Sequence, residues 1–230
     1  MIAIKKLRFC FASLVAFCIS IEVQAYPYLI KSLRGKDNRG EYHLSYLQIM
    51  PEVGLKDLEK FNNKLKQTLA YDYLCDPDSE RSKHMYANTK LSKIYIDRNV
   101  LSFQVHFETY CGGPYPDAAL RFYTFDLHTH KSLALNQFIS QNKKITQTIY
   151  RKLLKTAHSQ KIEDCQHFYT KEELARTSFQ YRISEAALIV RMDLPHVARA
   201  CELQIKLNCN DLQPISNHNQ KKYQSICQNK

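Results

Sequence analysis

The sequence predicts an α+β fold: a mainly antiparallel sheet with helices packed on one side, stapled by disulfides. Three observations carry this. Runs of period-two alternation dominate, clearest where Leu101, Phe103, Val105 and Phe107 alternate with Ser102, Gln104, His106 and Glu108. Residues 55–73 and 145–154 instead carry apolar side chains at helical spacing. Six cysteines remain once an N-terminal export signal is set aside: Cys75, Cys111, Cys165, Cys201, Cys209 and Cys227.

Residues 1–25 read as that signal. Lys5, Lys6 and Arg8 form a positive start, residues 9–21 an apolar stretch, and Val23 and Ala25 the small residues before a cut after Ala25. The apolar stretch is shorter than the roughly 20 residues of a spanning helix, and no later segment approaches that length. The expectation is a periplasmic or secreted protein with no span after cleavage. An even cysteine count in an exported chain implies a disulfide framework. Sequential order suggests Cys75–Cys111, Cys165–Cys201 and Cys209–Cys227; no CxxC occurs that would suggest zinc or redox chemistry.

The remaining chain divides into a strand-plus-helix subdomain, 26–76, and a larger one, 77–230. Residues 34–40 are polar and read as a loop, and 42–50 as a strand. In the helix of 55–73, Leu55, Leu58, Phe61, Leu65 and Leu69 form the buried face, and Cys75-Asp76-Pro77-Asp78 ends it. Leu91, Ile94 and Ile96 open a strand that turns at Asp97-Arg98-Asn99 into the alternating run of 101–108, as a hairpin. After a glycine turn, 120–127 is a strand, and His128-Thr129-His130 turns it towards Leu133. A helix over 145–154 follows. Residues 171–176 make a helical turn, 179–183 and 186–192 a hairpin around Ser184-Glu185, 203–207 a strand and 211–214 a short helix. Residues 216–230 are a polar tail held by Cys227.

The glycine turn is Tyr110-Cys111-Gly112-Gly113-Pro114-Tyr115-Pro116. It uses two of the chain's five glycines side by side, which points to unusual backbone angles or a close approach. Tyr110, Tyr115, Phe122 and Tyr123 fall near it. Tyrosine combines apolar area with a polar tip, which suits carbohydrate or protein contact. The expected binding residues are therefore Tyr110, Gly112, Gly113, Tyr115 and Tyr123.

The chain carries a formal net charge of +11, falling to about +9 without the signal. Such a charge suits acidic partners, among them peptidoglycan and other anionic glycans. No RNP or OB-type signal supports nucleic acid. His128 and His130, two apart, are a possible ligand pair, but HExxH is absent and no metal or other cofactor is expected. GxSxG and SxxK are also absent. Asp126 at a strand end and the adjacent Glu172 and Glu173 have ordinary structural readings, an Asx turn and a solvated helix face.

Three pieces together resemble a known family. They are Val100-Leu101-Ser102-Phe103-Gln104-Val105, the Gly112–Pro116 turn, and Phe125-Asp126-Leu127 running on to Lys131-Ser132-Leu133. They look like the RsiV-like extracytoplasmic domain, which is shared by RsiV-type anti-sigma factors and by the non-catalytic part of some peptidoglycan deacetylases. The resemblance spans most of residues 40–215. Tyr115 stands where the family turn usually has histidine, and His130 where the following hairpin usually has glycine. The resemblance implies a binding role without chemistry, with a muramidase-type protein as one partner candidate. The expected function is an exported, non-catalytic envelope domain that binds cell-wall material or an envelope or host protein. The alternative is a cell-envelope hydrolase acting on peptidoglycan or polysaccharide.

Overall fold

The computed structural model describes residues 5–8, 20–23, 27–37, 40–70, 74–75, 85–139, 142–160, 163–212 and 227. The fold is α+β, mainly antiparallel and disulfide-stapled, with a six-stranded and a three-stranded sheet. Within the stretch read as a signal, β1 (Lys5–Arg8) and β2 (Ser20–Val23) pair antiparallel apart from both sheets.

The large sheet begins with the hairpin of β3 (Tyr28–Asp37) and β4 (Gly40–Ile49). Residues 34–37, expected in a loop, belong to β3. Along 34–37 this edge strand is exposed on both faces, so its polar composition reflects solvent rather than a turn. Gly40 has φ +100°, and a Cβ there would lie 2.2 Å from the Met85 carbonyl oxygen, so a side chain would collide with backbone. That close approach brings β5 (Tyr86–Ile96) beside β4, where the Glu41 amide donates to Met85 O at 2.9 Å. The β4–β5 pairing is parallel and short, Glu41–His43 against Tyr86–Asn88. The crossover carries α1 (Leu58–Ala70), as a parallel connection requires. The helix buries Phe61, Leu65, Leu69 and Ala70 against one face of the sheet. The Asn62 side chain holds both backbone groups of Ile49, at 2.8 and 3.0 Å.

Strands β6 (Val100–Tyr110), β7 (Asp117–Asp126) and β8 (Lys131–Ser132) follow antiparallel. Odd residues of β6, Leu101 to Phe107, join the α1 core, so its alternation was read correctly. The Asp97 carboxylate shapes the β5–β6 turn by accepting from the Asn99 and Val100 amides at 2.7 and 2.8 Å. Asp126 does the same after β7, accepting from His128 and Thr129 at 2.9 Å each, the Asx-type role.

The small sheet has order β11-β10-β9, from β9 (Ser178–Ser184), β10 (Ala187–Asp193) and β11 (Gln204–Asn208). Four helices accompany it: α2 (Leu135–Phe138), α3 (Lys143–Gln160), α4 (Lys171–Arg176) and α5 (Cys209–Leu212). The α3 residues Ile145, Ile149 and Leu153 share a core with Leu188, Val190, Ile205 and Leu207. Cysteines pair 75–111, 165–201 and 209–227, at Cα separations of 5.4, 5.3 and 5.6 Å.

The two sheets meet through buried hydroxyls. Ser102 and Thr124, neighbours on β6 and β7, place their oxygens 2.9 Å apart. Ser102 Oγ accepts from Ile183 N at 2.9 Å, and Thr124 Oγ1 donates to Tyr181 O at 3.0 Å. The free edge of β9 thus meets polar partners instead of a further strand. The small sheet packs on the large one at Phe122 and Leu120, where the Arg182 guanidinium lies over the Phe122 ring, and Arg199, between β10 and β11, pairs with Asp117 at the start of β7. Beyond that point, among the described residues, Arg34, His43, Asn88 and His106 of the same face are exposed.

Candidate functional site

Strand register builds the open face into rows. Lys36, Glu41, Tyr86 and Tyr110 are consecutive cross-strand partners; Arg34, His43, Asn88 and Glu108 form the next row. Directly opposed residues share a face, so these eight side chains stand on one side of the sheet. Between them lies a groove of about 540 Å³, lined by all of these except Tyr110, together with Gly35 and Tyr42. Tyr86 donates its phenol proton to Glu108 Oε1 at 2.6 Å. That hydrogen bond, then burial and the Glu108 charge, push the phenol above the ordinary tyrosine range. Lys36 Nζ donates to Glu41 Oε1 at 2.6 Å, and the bond and the charge together hold the Glu41 carboxyl below its usual value.

The glycine turn borders this groove through the Tyr86–Tyr110 pair, whose rings lie 6.1 Å apart. Cys111, exposed on the turn, is tied to buried Cys75. Of the two glycines, Gly112 has φ +97° and needs glycine; Gly113 has no such angle, and an added Cβ would meet nothing nearer than 3.9 Å. Tyr115 projects from the turn with 80% of its surface exposed, and the whole of 111–116 is exposed.

Tyr123 lies elsewhere. Six residues along β7 from Asp117, it is about 20 Å from the turn. It pairs with Phe103 on the opposite face, half-buried among Phe103 and Phe125 at 5.5 and 6.4 Å. Phe122 points to the other face and packs beneath the small sheet. The structure therefore brings Tyr110, Gly112, Gly113 and Tyr115 together and places Tyr123 in the α1 core.

The two histidines after β7 diverge. His128 Nε2 is 2.8 Å from Asn99 Oδ1, while His130 stacks on Phe61 at 4.7 Å and its carbonyl accepts from Lys64. His130 takes φ +56°, so the turn imposes a left-handed residue although the side chain is not glycine. Among the described residues, no group of three or more His, Cys, Asp or Glu is placed to hold a metal ion. Glu172 and Glu173 sit in the first turn of α4, capped by the Thr170 hydroxyl on Glu173 N.

The groove residues of β3, β4 and β5 were missed by sequence reasoning. Their signal is weak: exposed polar residues two apart at 34 and 36, 41 and 43, and 86 and 88. Only His106 and Glu108 of this face were read as sharing a side.

No family model and no curated protein sequence matches the chain. Among solved structures it is similar to a DUF3298 family protein of Pseudomonas aeruginosa PAO1, at 11% identity, over 82% of this chain and 94% of that one, with a TM-score of 0.49. It is also similar to a DUF3298 family member of Bacteroides fragilis NCTC 9343, at 11% identity over 81% and 92% of the two chains, with a TM-score of 0.44.

Proposed function

We propose that this chain is an exported binding domain, freed of residues 1–25, that takes cell-wall glycan at the open face of the large sheet and the glycine turn beside it. One observation carries the reading. Tyr115 is held out in solvent on a disulfide-tethered turn, next to a groove that offers aromatic, cationic and amide groups together. Tyrosine rings pack on the apolar faces of sugars, and the Arg34 guanidinium matches a carboxylate. Asn88 and Glu108 can hydrogen-bond hydroxyls. Tethering the turn in advance lowers the ordering cost of binding. Three disulfides suit an oxidising compartment, and no helix among the described residues is long and apolar enough to cross a membrane.

The test is co-sedimentation of the mature chain with purified peptidoglycan, beside a pull-down from envelope extract. Sedimentation that weakens in Tyr115→Ala and Arg34→Ala supports the glycan. Capture of one envelope or host protein through the same residues, with no sedimentation, moves the partner to a protein. If both experiments come back empty, the reading fails.

One observation favours the hydrolase alternative: two carboxylates, Glu41 and Glu108, line the same groove. Their partners, Lys36 and Tyr86, argue for fixed hydrogen-bonding groups. Release of soluble fragments from peptidoglycan, abolished by Glu108→Gln, would establish the enzyme instead.

A further inference from the structure

The exposed side of α3 is built differently from that of α1. Its eighteen residues include five Lys or Arg and no Asp or Glu. The buried side is centred on Ile149, between Ile145 and Leu153. Opposite it, Lys144, Gln147, Arg151, Lys155 and His158 are all exposed and fall at steps of three or four residues. That spacing stacks them in one stripe, about 21 Å long at 1.5 Å per residue. Two lysines of α1 have intramolecular tasks: Lys64 donates to His130 O and lies over Phe125, and Lys66 lies over Tyr46. On α3, Lys152 is likewise occupied, bound to Asp211 at 2.8 Å on the flank, and Arg151 lends charge to the same carboxylate. Lys144 and Lys155 are engaged in no ion pair among the described residues.

We infer that this stripe is a second binding surface, on a different part of the molecule from the groove, and that it takes a linear anionic polysaccharide. Charge complementarity selects a polyanion. The composition of the stripe selects among polyanions. It presents no Phe or Tyr ring, since Tyr150 packs against the core, and a single imidazole, His158, at its end, so it lacks the row of rings on which successive bases of a single strand stack. It presents no large apolar residue, since Leu154 packs inward, so it lacks the face an interfacial membrane helix inserts. What stands between the cations is Gln147, with Thr148 beside it, groups that hydrogen-bond hydroxyls. A hydroxylated polymer with spaced negative groups meets both features. The surface does not depend on the groove being a site.

The experiment measures binding of the mature chain to heparin and to alginate at two salt concentrations, with poly-glutamate as an anionic peptide control. Three exposed charges, each contributing a factor of about two to three, predict that Lys144→Gln/Arg151→Gln/Lys155→Gln loses about tenfold in affinity. The wild-type affinity should fall steeply with salt. Removing three charges on and just before α1, Lys56→Gln/Lys60→Gln/Lys64→Gln, is the comparison, and unchanged circular dichroism confirms that each variant is folded. A loss confined to the α3 variant, with glycan bound more tightly than poly-glutamate, supports the inference. No glycan binding, equal losses in the two variants, or equal affinity for poly-glutamate overturns it. Tyr115→Ala should leave heparin binding unchanged, so failure of the groove reading and failure of this one are separately visible.

Discussion

Replacing Ser102 by alanine should loosen the contact between the two sheets. Ser102 is fully buried, and its oxygen accepts from Ile183 N at 2.9 Å while lying 2.9 Å from Thr124 Oγ1. Alanine leaves the Ile183 N–H buried with no acceptor, which costs about 1–3 kcal/mol. For a chain of this length, about 2 kcal/mol lowers Tm by roughly 4–8 °C. Urea unfolding of the disulfide-intact protein measures it. Thr124→Val removes the donor to Tyr181 O, at 3.0 Å. Because the two hydroxyls share one network, the double variant should deviate from additivity by about 0.5 kcal/mol or more. A Ser102→Ala loss below about 0.5 kcal/mol, the range of an ordinary surface substitution, would mean that these hydroxyls do not satisfy the β9 edge.

Three further outcomes follow from polar pairs. Glu202 is nearly buried, pairs with Arg191 and accepts from Leu194 N at 3.0 Å, so Glu202→Ala strands a part-buried guanidinium and should cost about 3 kcal/mol in urea unfolding. Tyr86 has its phenol raised by Glu108, so its contribution to stability is complete below the unfolded tyrosine value and is lost as pH rises through the folded one. Ultraviolet titration should show late ionisation of Tyr86 and of Tyr169, which burial raises, and Glu108→Gln should bring the Tyr86 share back towards the ordinary range. Burial acts to raise the Asp211 carboxyl, but the bonds from Lys152 and Asn208 N and the Lys152 and Arg151 charges outweigh it and hold it low. Its contribution is complete above the unfolded carboxylate value and is lost as pH falls through the depressed one; Lys152→Ala should shrink the acid-side loss in a pH series of unfolding curves.

Much of the fold was legible because burial is one-sided where α1 covers the sheet. The alternation of β6 follows directly, with 101, 103, 105 and 107 against α1. Cysteine order was legible because each bridge joins neighbours in sequence. The misreadings have physical causes. Residues 34–37 look like a loop because an edge strand open on both faces needs no apolar alternation. Tyr123 was grouped with the turn because β7 is apolar on both faces: Tyr123 and Phe125 meet the α1 core, and Phe122 meets the small sheet. The groove was hidden because it depends on the short parallel pairing of Glu41–His43 with Tyr86–Asn88, 45 positions apart in the chain, set by the close approach of Gly40 to Met85. No local pattern encodes that register.

On the proposed function, the tethered turn and the groove beside it form one binding surface. Sedimentation of the chain lacking residues 1–25 with peptidoglycan, measured for wild type, Tyr115→Ala and the bridge-free Cys75→Ala/Cys111→Ala variant, is the direct test. Closing a loop of this length is worth about 3–4 kcal/mol to the folded state, so the third protein is assayed after circular dichroism shows that it is folded. Expected are binding by wild type, a loss of about tenfold in Tyr115→Ala, and a comparable loss in the bridge-free protein. Equal binding by all three would contradict it.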